Sequence, residues 1–479
     1  MVRFAVLAAM LCGCAQLFGL DETTRGTPPS TSLSLQRVSV GARIVYAPQD
    51  LAGSMGTYLV ADDASPGGLS RVPAAQAELG RWTAPLTAAA PILFDLPDYP
   101  KPLQRIFDFP EAEVKGLYGV MEHPSPQPAP AGATITVNAT LDAAYTGTER
   151  FELYVVGTWN SIALNAPAVN TLGPIVQTFA ATAMSNTITG RPHERITSQD
   201  GAVVLRYDNL NILRGAFKAA PFDQTGTDTI TGTMTSVAAQ PFTFAIDQAD
   251  VMRRYSMVRP PVGNLTMSWS VRAAPGAQLN NDNGPLLAAG APTDATSVKS
   301  QAGNPFAPDW PSTALWSTQA TRIYTPPSAG LPVTLVANMS ERALLADGLQ
   351  MKLPAAIPSR ITLVGTVLEN DGVTIAKPTR AVEVSFAADA STTLYQLQLF
   401  KLVPNMAGTA LQLEHKVGAN AAAPRFLLPP ELFEPGSLYT LRAIAVAGGF
   451  PGLGAGDLTQ RTIPCSVSFV DSGVFTVAP

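Results

Sequence analysis

Ala133-Thr134-Ile135-Thr136-Val137-Asn138-Ala139-Thr140-Leu141 decides the fold class. From Ile135 its odd positions are apolar and its even positions polar. Successive side chains of a β-strand point to opposite faces, so this period of two predicts a half-buried strand. The same short pattern recurs outward in both directions. Upstream lie Val38 to Tyr46, Thr57 to Val60, Gly80 to Thr83, Ile92 to Leu96, Gln104 to Phe109 and Val114 to Val120. Downstream come Phe151 to Trp159, Val203 to Tyr207, Ile212 to Phe217, Thr229 to Val237, Phe242 to Ile246 and Leu265 to Arg272, then Thr321 to Tyr324, Pro332 to Asn338 and Arg360 to Leu368. Pro, Gly, Asp or Ser bounds each run. Short strands about ten residues apart with turn signals between them predict an antiparallel sandwich or barrel. The expected fold is all-β, with several tandem β-sandwich domains.

Helical periodicity is scarce. Ser340 to Leu349 is the best candidate, with Ser340 as N-cap and Gly348 near its end. Asn370-Asp371-Gly372 reads as the turn of a hairpin joining Val364–Leu368 to Val373–Ala376. No internal repeat of fixed period appears.

The 479 residues exceed one ordinary core, and about 150 residues per domain predicts about three domains. Residues 123–132 (HPSPQPAPAG) hold four prolines and cannot form a central strand. Residues 273–309, rich in Gly, Pro, Asn and Ala, suggest a second boundary. The expected division is β-sandwiches at 35–125 and 131–275, a β-rich domain or extension at 276–378, and a last sandwich at 379–479. Charged residues make up 14% of the chain, the net charge is −5 and no Lys/Arg cluster occurs. Nucleic-acid binding needs clustered cations to neutralise phosphates, so no nucleic-acid partner is expected.

The first residues are of a different kind. Arg3 is followed by an apolar run, Phe4 to Leu11, and then by Leu11-Cys12-Gly13-Cys14. The run is too short for a bilayer span, which needs about twenty apolar residues. Charge, short apolar run and small residues make the layout of a signal peptide. Cleavage after Ala15 as an ordinary signal is one reading. The Leu-x-Gly-Cys ending resembles the bacterial lipoprotein signal, which implies lipidation at Cys14 after removal of residues 1–13. That resemblance implies a firm tether, since two or more acyl chains anchor stably. It also implies a cell-envelope location, with Ala15 rather than Asp after the cysteine pointing to the outer membrane. Residues 14–34, polar and rich in Thr, Ser and Pro, are expected to form a tether. With Cys12 removed and Cys14 acylated only Cys465 remains, so no intrachain disulfide is expected, and Cys465 reads as a buried thiol.

A second resemblance lies near the C-terminus. Residues 433–446 (FEPGSLYTLRAIAV) place a Pro-Gly turn before a Tyr that opens an alternating strand. Residues 380–479 therefore look like a fibronectin type III module. The likeness implies that Tyr439 forms a tyrosine corner, its hydroxyl bonding back to upstream backbone. Residues 394–403 (LYQLQLFKLV) match the third strand, and Phe475 and Val477 the last. The family's core Trp is missing, with Tyr395 or Phe386 as substitutes.

Motifs with chemistry are few. His193-Glu194 lacks the second His of a zinc-protease helix, since Thr197 stands there. His123 and His415 lie in other segments. Ala52-Gly53-Ser54-Met55-Gly56 resembles a nucleophile elbow but runs into a strand pattern. Asn280 to Gly284 lacks the closing acid of a calcium loop. Gly452-Leu453-Gly454-Ala455-Gly456 opens no helix that would cradle phosphate and reads as a flexible loop. Trp82, Trp159 and Trp269 sit in strand runs and read as core. Trp310 and Trp316, beside Pro-rich sequence, are the candidates for an exposed sugar-stacking surface. No catalytic, metal or cofactor site is expected. The chain reads as a lipid-anchored, non-enzymatic binding or structural protein of the envelope, partnered by the membrane through its lipid and by envelope proteins or glycans. A secreted hydrolase with a dispersed site and a glycan-binding protein are the alternatives.

Overall fold

The computed structural model describes residues 30–40, 44–48, 56–86, 90–96, 103–120, 128–158, 160–186, 195–275, 284–292, 296–352 and 355–479. Cys14, His123, Trp159, His193 and the Asn280–Asn283 and Ala52–Met55 segments lie outside them. The fold is all-β, built of sandwiches whose sheets are not closed into a barrel. Among the described residues no helix is long and apolar enough to cross a membrane.

In the first sandwich Thr31–Val40 pairs with Arg81–Ala84 along one edge and, in parallel, with Glu113–Val120 along the other. Leu33, Leu35, Trp82, Phe94 and Phe107 fill its core. Residues 31–34 were expected at the end of a tether. They belong to this strand instead, because Leu33 is fully buried and its neighbours find ladder partners.

The second sandwich contains the alternating stretch that set the fold class. Thr134–Thr140 lies between Ile175–Ala180 and, in parallel, Thr227–Thr233. Ile135, Val137 and Ala139 are fully buried against Phe151, Leu153 and Val204 of the opposing sheet. The outward face is uncharged and carries Thr134, Thr136, Thr178, Thr227 and Thr229 in neighbouring rows. The Thr136 and Thr178 hydroxyls pair at 2.8 Å.

The third sandwich sets Gly263–Ala273, Ser312–Tyr324 and Val333–Leu344 over a sheet of Ser297–Ala302, Gln240–Ala245 and Leu349–Gln350. The expected division at 275/276 is bridged by ladder pairing of Gly263–Ala273 with Leu286–Gly290 and Ser312–Tyr324. Val333–Leu344 corrects the expected helix at Ser340 to Leu349. This segment is held as a strand between two neighbours, with Met339 opposite both Thr318 and Ser468, so two ladders outweigh its local helix signals. Among the described residues the α-helix is Gln248–Ser256, capped by Asp247, whose carboxylate accepts the Asp250 N–H at 2.9 Å.

The fourth sandwich packs Ser359–Leu363, Val382–Ala387 and Arg425–Leu428 against Leu394–Pro404, Leu411–Ala421, Leu438–Gly448 and Cys465–Asp471. The expected hairpin around Asn370–Gly372 is not formed. The tight turn is at Val364-Gly365, both with positive φ, and Val373–Ile375 instead runs parallel to Phe475–Val477. Asp371 explains the change: its carboxylate takes the Val474 N–H at 2.8 Å and an ion pair from Arg322, tying the turn to the last strand. Ladders also join the sandwiches. Val333–Leu344 pairs with Cys465–Asp471, and Leu411–Ala421 runs parallel to Leu103–Asp108.

Candidate ligand-binding groove

A groove of about 580 Å³ opens where the second and third sandwiches meet. One wall is the end of strand Leu213–Lys218 with its short edge partner Thr235–Ser236. The other wall is the loop from Asn304 to Asp309.

The loop is fixed by a single side chain. Asn304 Nδ2 donates to the Trp310 carbonyl at 2.6 Å and to Ser312 Oγ at 3.1 Å, while its Oδ1 accepts the Phe306 N–H at 2.9 Å. The Trp310 N–H closes the turn onto the Phe306 carbonyl at 3.1 Å. Such side-chain bonds to nearby backbone hold a turn without regular secondary structure. The opposite wall is braced from beneath. Ser236 Oγ donates to Asp142, and Asp142 is held by Arg206, which also pairs with Glu149 at 2.8 Å.

Lys218 carries the groove's positive charge. Its Nζ lies 4.6 Å from the centroid of the Trp310 ring, a cation–π contact. Asp309 stands exposed on the loop wall. Neither Lys218 nor Asp309 has an oppositely charged partner among the described residues. Phe217, Pro305 and Phe306 supply apolar surface, and Thr235 a hydroxyl. A groove of this volume whose walls mix polar and apolar groups can hold a small polar molecule.

The tryptophans expected at the surface are elsewhere. Trp310 is 1% exposed and Trp316 is fully buried. Trp316 faces Trp269 across the ladder, and Trp310 packs on Phe306 at 5.2 Å and against Gly201. Their rings were worth more to the core than to solvent, so neither presents a stacking platform. Trp82 and Trp269 are core, as expected.

Other residues singled out from the sequence do not converge on the groove. His415 lies on strand Leu411–Ala421, half-buried, with its ring 5.3 Å from Phe400. Burial, helped by Arg105 and Arg442, pushes its imidazole down to about 4. Cys465 is buried at the start of its strand. The Gly452–Gly456 loop is docked rather than free, since the Gly456 carbonyl accepts the Lys115 N–H at 2.9 Å. Gly56 opens strand Gly56–Ala61, the strand course expected after the elbow-like motif. Among the described residues no group of three or more His, Cys, Asp or Glu could hold a metal ion.

Tyr439, by contrast, makes the contact implied for it. Its hydroxyl accepts the Glu434 N–H at 2.8 Å and donates to the Leu432 carbonyl at 3.2 Å. Phe386 is buried, stacked on Phe426 at 5.9 Å and tilted against Tyr395 at 6.1 Å.

No family model matches the chain. No curated protein matches it either. Among solved structures it is similar to a leucine-rich repeat protein from Bacteroides thetaiotaomicron, at 12% identity and a TM-score of 0.16. That match covers 46% of this chain, which spans 25% of the length of the other. The FN1–FN3 domains of chicken CNTN1 match at 7% identity and a TM-score of 0.13, covering 86% of this chain and 92% of that one. A streptococcal ancillary pilin matches at 9% identity and a TM-score of 0.11, covering 67% and 98%. Scores this low carry no argument about function.

Proposed function

We propose that this chain is a lipid-anchored protein of the bacterial cell envelope that works by binding rather than by catalysis, and that the groove beside Lys218 is where it binds. The observation that carries the binding role is the pair Lys218 and Asp309, opposite charges lining one preformed groove without pairing to each other. Rigid walls lower the entropy cost of capture, because the Asn304 turn is ordered before any ligand arrives. The address rests on Leu11-Cys12-Gly13-Cys14 and its resemblance to the lipoprotein signal.

Metabolic labelling with a palmitate analogue tests the anchor. Label that disappears in Cys14→Ala supports it, and label that survives the substitution overturns it. A panel of ester, peptide and glycoside substrates tests the non-enzymatic role. Hydrolysis abolished by one point substitution would replace it with the hydrolase reading.

A further inference from the structure

We propose that the groove takes an acidic glycan, a sugar ring bearing a carboxylate, with the carboxylate on Lys218 and ring hydroxyls on Asp309 and Thr235. The inference rests on the binding role just proposed and names its ligand class. Each wall contributes a different part of the recognition.

The Lys218 ammonium rests on the Trp310 face at 4.6 Å, so one side of it is already turned from water. The contact also restrains a long, flexible side chain, which lowers the ordering cost of an incoming anion. With no carboxylate of the described residues bound to it, the ammonium is open to one from a ligand.

Asp309 fixes how much negative charge the ligand can carry. A phosphate monoester brings nearly two charges, and the carboxylate lining the same groove repels both of them. Phosphate sites also draw on several donors or a guanidinium fork, and the groove has no arginine in its walls. A single carboxylate needs only the one ammonium. An ionised Asp is acceptor-only, so its natural ligand partner is a hydroxyl, and the Thr235 hydroxyl both donates and accepts. A ligand dense in hydroxyls with one acidic group meets all three. Pro305, exposed on the loop wall, offers an apolar surface to the C–H face of a sugar ring.

The test is calorimetric titration of the full-length chain with galacturonic acid, which carries one carboxylate, and with its methyl ester, which keeps the ring and removes the charge. Galacturonate is expected to bind about tenfold more tightly than the ester at low salt. Lys218→Gln is expected to erase that difference while leaving the weak ester binding in place. Asp309→Asn is expected to weaken the ester, which loses a charged acceptor for its hydroxyls, more than the acid, for which the same change also relieves repulsion. Lys218 and Asp309 are exposed, so both variants keep the fold. Equal binding of acid and ester, with loss on Asp309→Asn, would overturn the acidic class and leave the groove standing as a binding site. Binding of neither probe overturns the glycan ligand, and binding indifferent to both substitutions overturns the groove itself.

Discussion

The Tyr439 hydroxyl reaches back to the backbone of Glu434, accepting its N–H at 2.8 Å, and donates to the Leu432 carbonyl at 3.2 Å. The ring is fully buried, stacked on Phe475 at 5.8 Å and set against Phe433. One side chain therefore holds the turn before strand Leu438–Gly448 and fills the core beneath it. Tyr439→Phe keeps the ring and leaves two backbone groups short of a partner, so a loss of about 1–3 kcal/mol is expected. Tyr439→Ala also opens a cavity, for a loss of about 3–5 kcal/mol. Urea unfolding followed by tryptophan fluorescence measures both. An undiminished stability of Tyr439→Phe would show that the hydroxyl contributes nothing.

Arg206 is the hinge of a buried polar network. Its guanidinium donates to Asp142, to the Ala143 and Ala144 carbonyls and to Glu149, and all three charged side chains are under a tenth exposed. Removing the cation leaves two carboxylates unpaired, so Arg206→Met is expected to cost about 3–5 kcal/mol. The same network predicts an acid response. Burial works to raise the Glu149 carboxyl, but hydrogen bonds from Arg206 and from the Thr146 hydroxyl and N–H outweigh it and bring it down to about 2 from the usual 4.5. A depressed carboxyl stabilises the fold above its unfolded value and loses that contribution as pH falls from 4.5 towards 2. Stability curves of Glu149→Gln are expected to be flatter than wild type over that window and lower than it at pH 7.

Strands were legible wherever one face is buried and the other wet, as at Ile135, Val137 and Ala139. Alternation is a local signal with a local cause. Within Val333–Leu344 the first half was read as a strand, but the half from Ser340 was misread because its fate is set by neighbours far along the chain, Ser312–Tyr324 on one side and Cys465–Asp471 on the other. The pairing of Val417 with Gln104, which joins the last sandwich to the first, leaves no mark in either segment. The helix Gln248–Ser256 did carry signals: Asp247 as cap, and Asp250 and Arg254 four apart and ion-paired. Its brevity hid them. The groove is the least legible part. Lys218, Thr235 and Asp309 belong to no motif and meet only because two sandwiches abut. The Pro-rich surroundings of Trp310 pointed to the right loop and the wrong ring, since the indole lies beneath the cation rather than in solvent.

Gly201 gives the indole its seat. A Cβ there would lie 2.8 Å from Trp310 Cη2, closer than real contacts allow. Gly201→Ala is therefore expected to tilt the ring and move the Lys218 ammonium with it. A shift in tryptophan emission and a loss of about 1–3 kcal/mol are the expected outcomes. Unchanged emission and stability would show that the seat is loose.

His415 sets a second pH response, separate from that of Glu149. Its ring lies edge-on to Phe400, and its buried Nδ1 has no hydrogen-bond partner among the described residues. The Arg442 guanidinium nearby is neutralised by Asp471 at 2.7 and 3.0 Å, while burial and the two arginines hold the imidazole at about 4 instead of 6.5. The folded chain thus resists a proton that the unfolded chain accepts. Stability is complete above pH 6.5 and falls as pH drops from 6.5 towards 4, by up to about 1.4 kcal/mol per pH unit. Below 4 both states carry the proton, and this contribution to the slope ends. His415→Gln carries no titrating ring, so its urea midpoints at pH 7.5 and 5 are expected to differ less than those of wild type. Proton NMR gives an independent reading: one of three imidazole signals should titrate near 4 and vanish in the variant. If all three titrate near 6.5, the ring is accessible to water and the slope must come from elsewhere.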